Sequence, residues 1–295
     1  MPRAALLSLH ARVEGVNPST WEDPSLVQLW GPRFSAYVVA ARDRAAFSLG
    51  RLPEDGKGLQ VAEDIAARLQ RFLDGRTMSY GEAGDGLGVH PNRLRYAAPT
   101  GTVLIRWDGA RQPTIWTTPV PDVDPRKARL ELARRYLHVF GPTAHAAFAR
   151  WAGVGPREGR AAFAALAEAL TPVRTPVGDG WILTSDEPML RAPARPTEAA
   201  RLLPSGDTYF LLQGADRTLL VPDPARRPLL WTSRVWPGAV LLGGEIVGTW
   251  RRAERDITIQ PWRRLMREER GALAAEAESL PLPGLQGLIR VHLDG

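Results

Sequence analysis

The sequence predicts an α+β protein in which tandem winged-helix domains precede a small, mostly-β, barrel-like C-terminal domain. Three observations lead there. The order helix, helix, turn, helix, strand, strand occurs twice between residues 59 and 190. From about Arg195 the pattern changes to short strands separated by turn signals. The chain has 295 residues, 44% of them hydrophobic, which suits a folded protein of about two or three domains.

Residues 1–50 read as an incomplete first winged helix. The opening PRAALLSL has the character of a helix end, Trp21–Trp30 (WEDPSLVQLW) of a short helix and Arg33–Ala40 (RFSAYVVA) of a strand. Gly50–Gly58 (GRLPEDGKG) is a linker of turn formers and charges. The second winged helix is expected over 59–119. Leu59–Leu73 carries apolar residues at helical spacing, Met78–Leu87 gives a second helix, and Gly88-Val89-His90-Pro91 makes a turn. A third helix over Asn92–Ala98 is followed by strands at Thr102–Trp107 and Thr114–Thr118, with Asp108-Gly109 starting their hairpin connection.

The third winged helix is expected over 124–190. Asp124-Pro125 supplies an N-cap and a proline at the first helical position, and Gly141-Pro142 stops that helix after Phe140. Helices at Thr143–Ala152 and Pro156–Leu170 flank a Gly153-Val154-Gly155 turn. Strands near Pro172–Thr175 and Trp181–Thr184 surround Gly178-Asp179-Gly180. The C-terminal domain, 195–295, is read as strands at Thr208–Gln213, Thr218–Val221, Ala239–Leu242, Glu245–Trp250 and Ile257–Gln260. A helix at Trp262–Leu280 and a last strand at Leu288–Leu293 complete it.

Composition excludes several function classes. With no cysteine, disulfide frameworks, zinc fingers, iron–sulfur clusters and thiol catalysis drop out, and a reduced, cytoplasmic setting is expected. No run of about 18 apolar residues exists to span a membrane, and the N-terminus lacks the form of a signal peptide. His10, His90, His138, His145 and His292 show no metal-ligand spacing. Gly81–Gly88 (GEAGDGLG) has the glycines of a phosphate loop, but neither Lys57 nor Lys127 stands where such a loop needs it. No serine occupies a G-x-S-x-G elbow. No cofactor, metal or membrane partner is expected, and the chain is expected to work as a monomer.

The basic residues carry more information by position than by total. The 38 basic side chains against 32 acidic ones give +6, and 36 of the 38 are arginine. A GC-rich codon usage accounts for such a bias. Arginine's planar fork also suits phosphate and base-edge contacts. Residues 89–135 hold nine basic and four acidic side chains, and residues 217–270 hold eleven and six, so each zone is +5. Two basic zones on a mildly acidic remainder fit a polyanion partner, with a solvated face as the alternative.

In a helix-turn-helix the third helix lies in the DNA major groove and its early side chains meet base edges. Here that helix carries Asn92, Arg93 and Arg95, and its wing adds Arg106 and Arg111. Such an arginine on a guanine edge is worth about 1–3 kcal/mol of discrimination. The same arginines can also decorate a protein-contact surface. The corresponding helix of the next repeat offers Arg157 and Arg160 but is otherwise alanine-rich, which suits packing. The hairpin GGEIVGTWRR, residues 243–252, ends in Arg251 and Arg252 beside an inward-packing tryptophan, as phosphate grips or as a solvated strand end. Most of the ten tryptophans sit at apolar positions and read as core.

These segments also resemble a known family. LSLHARVEGV (7–16), VQLWGPRF (27–34), RRYLHVFGPTAHAAFARWAGV (134–154) and LLGGEIVGTWRR (241–252) are similar to the AlkZ-like tandem winged-helix family, whose founding members are bacterial DNA glycosylases. DTYFLLQGADR (207–217) resembles a degraded form of the family's D-P-Y-L…D-R stretch. The resemblance covers nearly all of the chain and implies winged helices plus a β-barrel around a DNA channel. It also implies a Gln-x-Gln or Gln-x-Asp strand that positions the attacking water, upstream of the segment matched by LSLHARV. No Gln-x-Gln stands in the N-terminal region, and His10 matches a helix end downstream of that motif. Tyr37 stands where many members have a histidine. The expected function is therefore duplex DNA binding in a repair-related family without glycosylase chemistry in this chain. An active glycosylase for alkylated or crosslinked bases and a transcriptional regulator are the alternatives.

Overall fold

Backbone pairing and side-chain burial divide the chain into two units, in a computed structural model that describes residues 2–54, 56–107, 112–193, 199–211, 214–284 and 287–293. One unit is Glu22–Ala192 with Met1–Pro2, and the other is Arg3–Trp21 with Pro193–Gly295. From Arg3 onward helix α1 (Pro2–His10) therefore falls with the C-terminal unit, where Leu7 enters the core.

In the N-terminal unit, β1 (Leu26–Trp30) pairs antiparallel with β2 (Ala36–Ala40), Leu29 lying opposite Tyr37. The helix expected over Trp21–Trp30 is thus mostly a strand. A short apolar run does not distinguish the two states, and packing of Leu29 with Val39 and Leu104 decides for the strand. After α2 (Arg44–Phe47) comes α3 (Gly56–Leu73), which buries Ala62, Ile65, Ala66, Leu69 and Leu73 along one stripe. Next, β3 (Met78–Ser79) leads into α4 (Tyr80–Gly86). A capping box starts α4: Ser79 Oγ accepts from the Glu82 amide at 3.2 Å and Glu82 Oε2 from the Ser79 amide at 3.0 Å.

The third helix of this repeat is a 3-10 helix, Pro91–Thr100, rather than an α-helix over Asn92–Ala98. His90 caps it, its Nδ1 accepting from the Asn92 amide, and Pro99 removes a donor from its last turn. Strands β4 (Val103–Arg106) and β5 (Thr114–Thr117) complete a three-stranded sheet ordered β3-β5-β4. The hairpin connection expected at Asp108-Gly109 lies outside the described residues.

The second repeat follows the same order. Asp124 Oδ1 accepts from the Lys127 amide and starts α5 (Pro125–Phe140), followed by α6 (His145–Ala152) and α7 (Pro156–Ala165). Helix α7 ends five residues before the expected Leu170, because Leu170 already opens β6 (Leu170–Thr175) opposite Leu183 of β7 (Gly178–Leu183). Thr143 bridges Trp181, tying the start of the second helix to this hairpin. A short α8 (Glu187–Arg191) closes the unit.

The C-terminal unit is built on β8 (Arg201–Leu203), β9 (Gly238–Leu242), β10 (Glu245–Ala253), β11 (Asp256–Pro261) and β12 (Arg290–Leu293). They form one five-stranded sheet ordered β12-β11-β10-β9-β8, so among the described residues β8 and β12 are edges and the expected barrel-like closure is absent. The physical reason is the cover on its apolar face. Leu273 and Ala277 of the helix Arg267–Glu278 and Leu7 of α1 share a core with Val240, Trp250, Ile257 and Ile259, so the sheet need not close on itself. The expected strands beginning at Thr208 and Thr218 are instead a 3-10 turn, Thr208–Phe210, and a helix, Arg217–Leu220. Asp207 decides the first by accepting from the Tyr209 amide at 2.8 Å. Gln213 lies outside the described residues. A further short helix, Arg227–Leu230, precedes β9. Among the described residues no helix is long and apolar enough to cross a membrane.

Candidate nucleic-acid interface

The 3-10 helix Pro91–Thr100 sets the geometry of the candidate surface. Leu94 and Ala97 face the core beneath it, while Asn92 and Arg93 are exposed. Asn92 Oδ1 accepts from the Tyr80 hydroxyl at 3.1 Å, and burial pushes that hydroxyl up to about 12. Among the described residues the Arg93 side chain makes no hydrogen bond or ion pair. Arg95 is different: its guanidinium lies 5.9 Å from the Phe34 ring and 5.8 Å from the Tyr96 ring, and its Nε is buried with no acceptor among the described residues. Of the three residues expected to meet bases, Arg93 is thus the unengaged one, and Arg95 is packed among aromatics.

The other expected residues are placed less uniformly. Arg106, at the end of β4, sits 3.3 Å from Glu22. Arg111 lies outside the described residues. Arg157 and Arg160 are exposed on α7 and make no ion pair among the described residues, while the same helix buries Gly159, Ala162 and Phe163. In the C-terminal unit, Arg251 Nη2 donates to the Val235 carbonyl at 3.1 Å and Arg252 Nε to the Glu254 carbonyl. Trp250 does pack inward, its Nε1 donating to the Leu203 carbonyl at 2.8 Å.

Much of the charge in the two basic zones is spent within the fold. Arg129 is buried, donating to the carbonyls of Gly50 and Leu52 and to Glu54 Oε1 at 2.7 Å. Arg135 pairs with Asp43 at 2.7 Å and Arg226 with Asp223 at 3.0 Å. Arg263 holds Glu269 in a two-pronged bond that pulls its carboxyl down to about 2. Sequence counting cannot separate such arginines from free ones.

Beside the 3-10 helix lies a feature that the sequence did not signal. Gly31-Pro32-Arg33-Phe34 is a tight loop in which both Arg33 (φ 54°) and Phe34 (φ 56°) are left-handed. Gly31 is required there, because a Cβ would come 2.7 Å from the Tyr37 ring. Phe34 meets Tyr96 edge-on at 5.0 Å. Arg51 lies 5.0 Å from the same ring, only 2% exposed, with Nε donating to the Ala152 carbonyl at 2.9 Å and Nη1 to the Trp30 carbonyl at 2.8 Å. Burial pulls its guanidinium down to about 10 and pushes the Tyr37 hydroxyl up. Arg51 was hidden because it falls in a run of turn formers that reads as linker.

Two further groups bear on chemistry, both within the C-terminal unit. His10 Nε2 is 3.2 Å from Ser279 Oγ and 3.8 Å from Glu276 Oε2. Asp207, buried, receives Arg12 through both carboxylate oxygens at 2.7 and 2.9 Å and the Ser8 hydroxyl as well. Among the described residues no three His, Asp or Glu side chains group as metal ligands.

A family model described as DNA glycosylase AlkZ-like matches residues 1–281. Among solved structures the chain is similar to Streptomyces sahachiroi DNA glycosylase AlkZ, with a TM-score of 0.78 and 18% identity, over 99% of this chain and 88% of that one. That likeness concerns the fold. No curated protein matches.

Proposed function

Because the chain belongs to the AlkZ-like DNA glycosylase family, a repair-related family, we propose that it is a cytoplasmic protein that holds duplex DNA through tandem winged helices, without intact glycosylase chemistry in this chain. The observation that carries this reading is the exposed Asn92–Arg93 edge of the 3-10 helix, beside a three-stranded sheet in the order β3-β5-β4. Residues 59–119 and 124–190 are the two complete winged helices on this reading, and 1–50 contributes part of another. Arg93 is the leading base or phosphate contact. Arg106, Arg157, Arg160, Arg251 and Arg252 supply phosphate contacts that position without reading sequence. A glycosylase must extrude a nucleotide and activate water. No glutamine of this chain begins a Gln-x-Gln or Gln-x-Asp, and His10 is engaged with Ser279 and lies near Glu276.

Fluorescence anisotropy with a labelled duplex tests the reading. Affinity falls linearly with salt on logarithmic axes, as counterion release requires, with a slope of about −0.9 per phosphate neutralised. Absence of binding at low salt, or an affinity unchanged between about 50 and 300 mM salt, contradicts it. Family membership favours one second reading, an active glycosylase. Incubation with DNA carrying N7-alkylguanine decides between them: abasic sites above background establish catalysis, and their absence leaves a binder. Footprinting that shows one preferred sequence instead of damage dependence points to a regulator.

A further inference from the structure

We propose that a cavity at the start of the helix Arg267–Glu278 binds a phosphate-bearing nucleotide unit, Arg264 and Arg270 taking the phosphate and Trp262 meeting the sugar or base. This goes beyond the DNA-binding reading: the site lies outside the expected contacts and stands on the C-terminal unit alone.

The cavity encloses about 500 Å³, within the range of small-ligand sites, and Trp262, Arg263, Arg264, Leu265, Arg270 and Leu293 line it. Three of the eleven basic residues of the 217–270 zone therefore face one space, and among the described residues no carboxylate lines it. The three arginines are not equivalent. Arg263 gives its fork to Glu269 at 2.7 and 2.8 Å, and Glu245 also acts on its charge. Arg264 and Arg270 are exposed, and their side chains make no hydrogen bond or ion pair among the described residues. Two uncompensated like charges at one cavity repel each other, and an anion between them removes that cost.

Neighbouring residues hold both arginines in place. Trp262 follows β11, and its amide donates to the Val247 carbonyl at 2.8 Å. Leu265 is buried in a core with Leu273 and Ala277, so the backbone at Arg264 is fixed between two anchors. The Met266 amide donates to Glu269 Oε2 at 2.8 Å, and Arg270 follows in the first turn, its amide donating to the Met266 carbonyl at 3.1 Å. Arg263 grips the same carboxylate. It thus ties the loop to the helix while Arg264 and Arg270 keep their donors for a ligand. Donors set before binding lower the ordering cost.

The lining also selects the ligand. Guanidinium forks match the oxygens of a phosphate. Trp262, half-buried with the Arg226 guanidinium 5.9 Å from its ring, joins Leu265 and Leu293 as an apolar side of the cavity. That side suits the sugar or base next to a phosphate better than a bare anion. The unit arrives within a DNA strand or as a free mononucleotide, and the two sources are separable by experiment.

The full chain is titrated by calorimetry with thymidine 5′-monophosphate and with inorganic phosphate, and by anisotropy with a labelled duplex over a salt series. The double variant Arg264→Gln, Arg270→Gln is compared with Arg267→Gln, which removes an exposed arginine of the same helix outside the cavity. Melting temperatures establish that each is folded. The wild-type protein binds the mononucleotide about tenfold more tightly than phosphate, as stacking supplies. The double variant loses that binding and Arg267→Gln keeps it. For a strand-borne unit the double variant also lowers the logarithmic salt slope by about 0.9, and Arg267→Gln does not. That lowered slope without measurable mononucleotide binding assigns the cavity to a strand alone. Lost mononucleotide binding with an unchanged slope assigns it to a free nucleotide. Equal affinity for mononucleotide and phosphate, or equal losses in Arg267→Gln, overturns the site. If the duplex binds with one slope in all three proteins and the mononucleotide does not bind, the site fails and the DNA-binding reading stands. If only the mononucleotide binds, that reading fails and the site stands; if neither binds, both fail.

Discussion

Replacing Asp207 by asparagine tests how the C-terminal unit is held to the chain's first helix. The carboxylate is 2% exposed and accepts four bonds: two from Arg12 at 2.7 and 2.9 Å, one from the Ser8 hydroxyl, and one from the Tyr209 amide at 2.8 Å. Asparagine keeps the volume, and its carbonyl can still serve Tyr209. Its amide group then faces donors from Arg12 and Ser8, where it has nothing to accept with. Breaking a fully buried pair by removing one partner costs about 3–5 kcal/mol. The Arg12 side chain is 42% exposed and can rehydrate, which lowers the expected loss to about 2–3 kcal/mol. With a urea dependence of about 1.5 kcal/mol per molar, the midpoint for this unit falls by about 1–2 M. Urea titration followed by tryptophan emission measures it, since Trp231, Trp236, Trp250 and Trp262 all lie in the unit. Arg12→Met measured alongside, with the double variant, gives the coupling. A midpoint shift below about 0.3 M, or a double variant whose loss is the sum of the two single ones, refutes the reasoning.

Four other outcomes follow from the structure. Trp250→Phe leaves the buried Leu203 carbonyl without its indole donor and destabilises by about 1–3 kcal/mol, read by thermal unfolding; an unchanged melting temperature contradicts it. Gly50→Ala places a Cβ 2.8 Å from the Ala128 carbonyl oxygen and costs about 1–3 kcal/mol through forced backbone movement, measured the same way. Glu269 is depressed from 4.5 to about 2 by the Arg263 fork first and the Met266 amide second. Its contribution to stability is therefore full above about pH 4.5 and lost as pH falls through about 2. A carboxyl NMR titration shows that midpoint, and Arg263→Met moves it upward. Arg93→Ala reduces the logarithmic salt slope of duplex binding by about 0.9, and an unchanged slope moves the contact elsewhere.

Local chemistry was legible in the sequence wherever one short segment decides its own state. The Asp124-Pro125 start of α5 and the periodic Leu59–Leu73 stripe both became the elements they announce. The repeated order of helices and hairpin, and the membership of a glycosylase-like family, were also readable, because each rests on pattern over a long stretch. Tertiary structure decided the rest. Leu26–Trp30 became a strand because Ala36–Ala40 was there to pair with it. The C-terminal sheet stayed open because α1 and the helix Arg267–Glu278 cover its apolar face. Arg12 and Asp207, 195 positions apart, were visible as two resembling segments, and only folding turned them into one buried pair. The arginines show the limit most plainly. Composition counts them, but whether one meets a carboxylate, a carbonyl or an aromatic ring depends on what distant segments bring near it. Arg129 and Arg51 ended inside the fold and Arg93 at its surface for that reason.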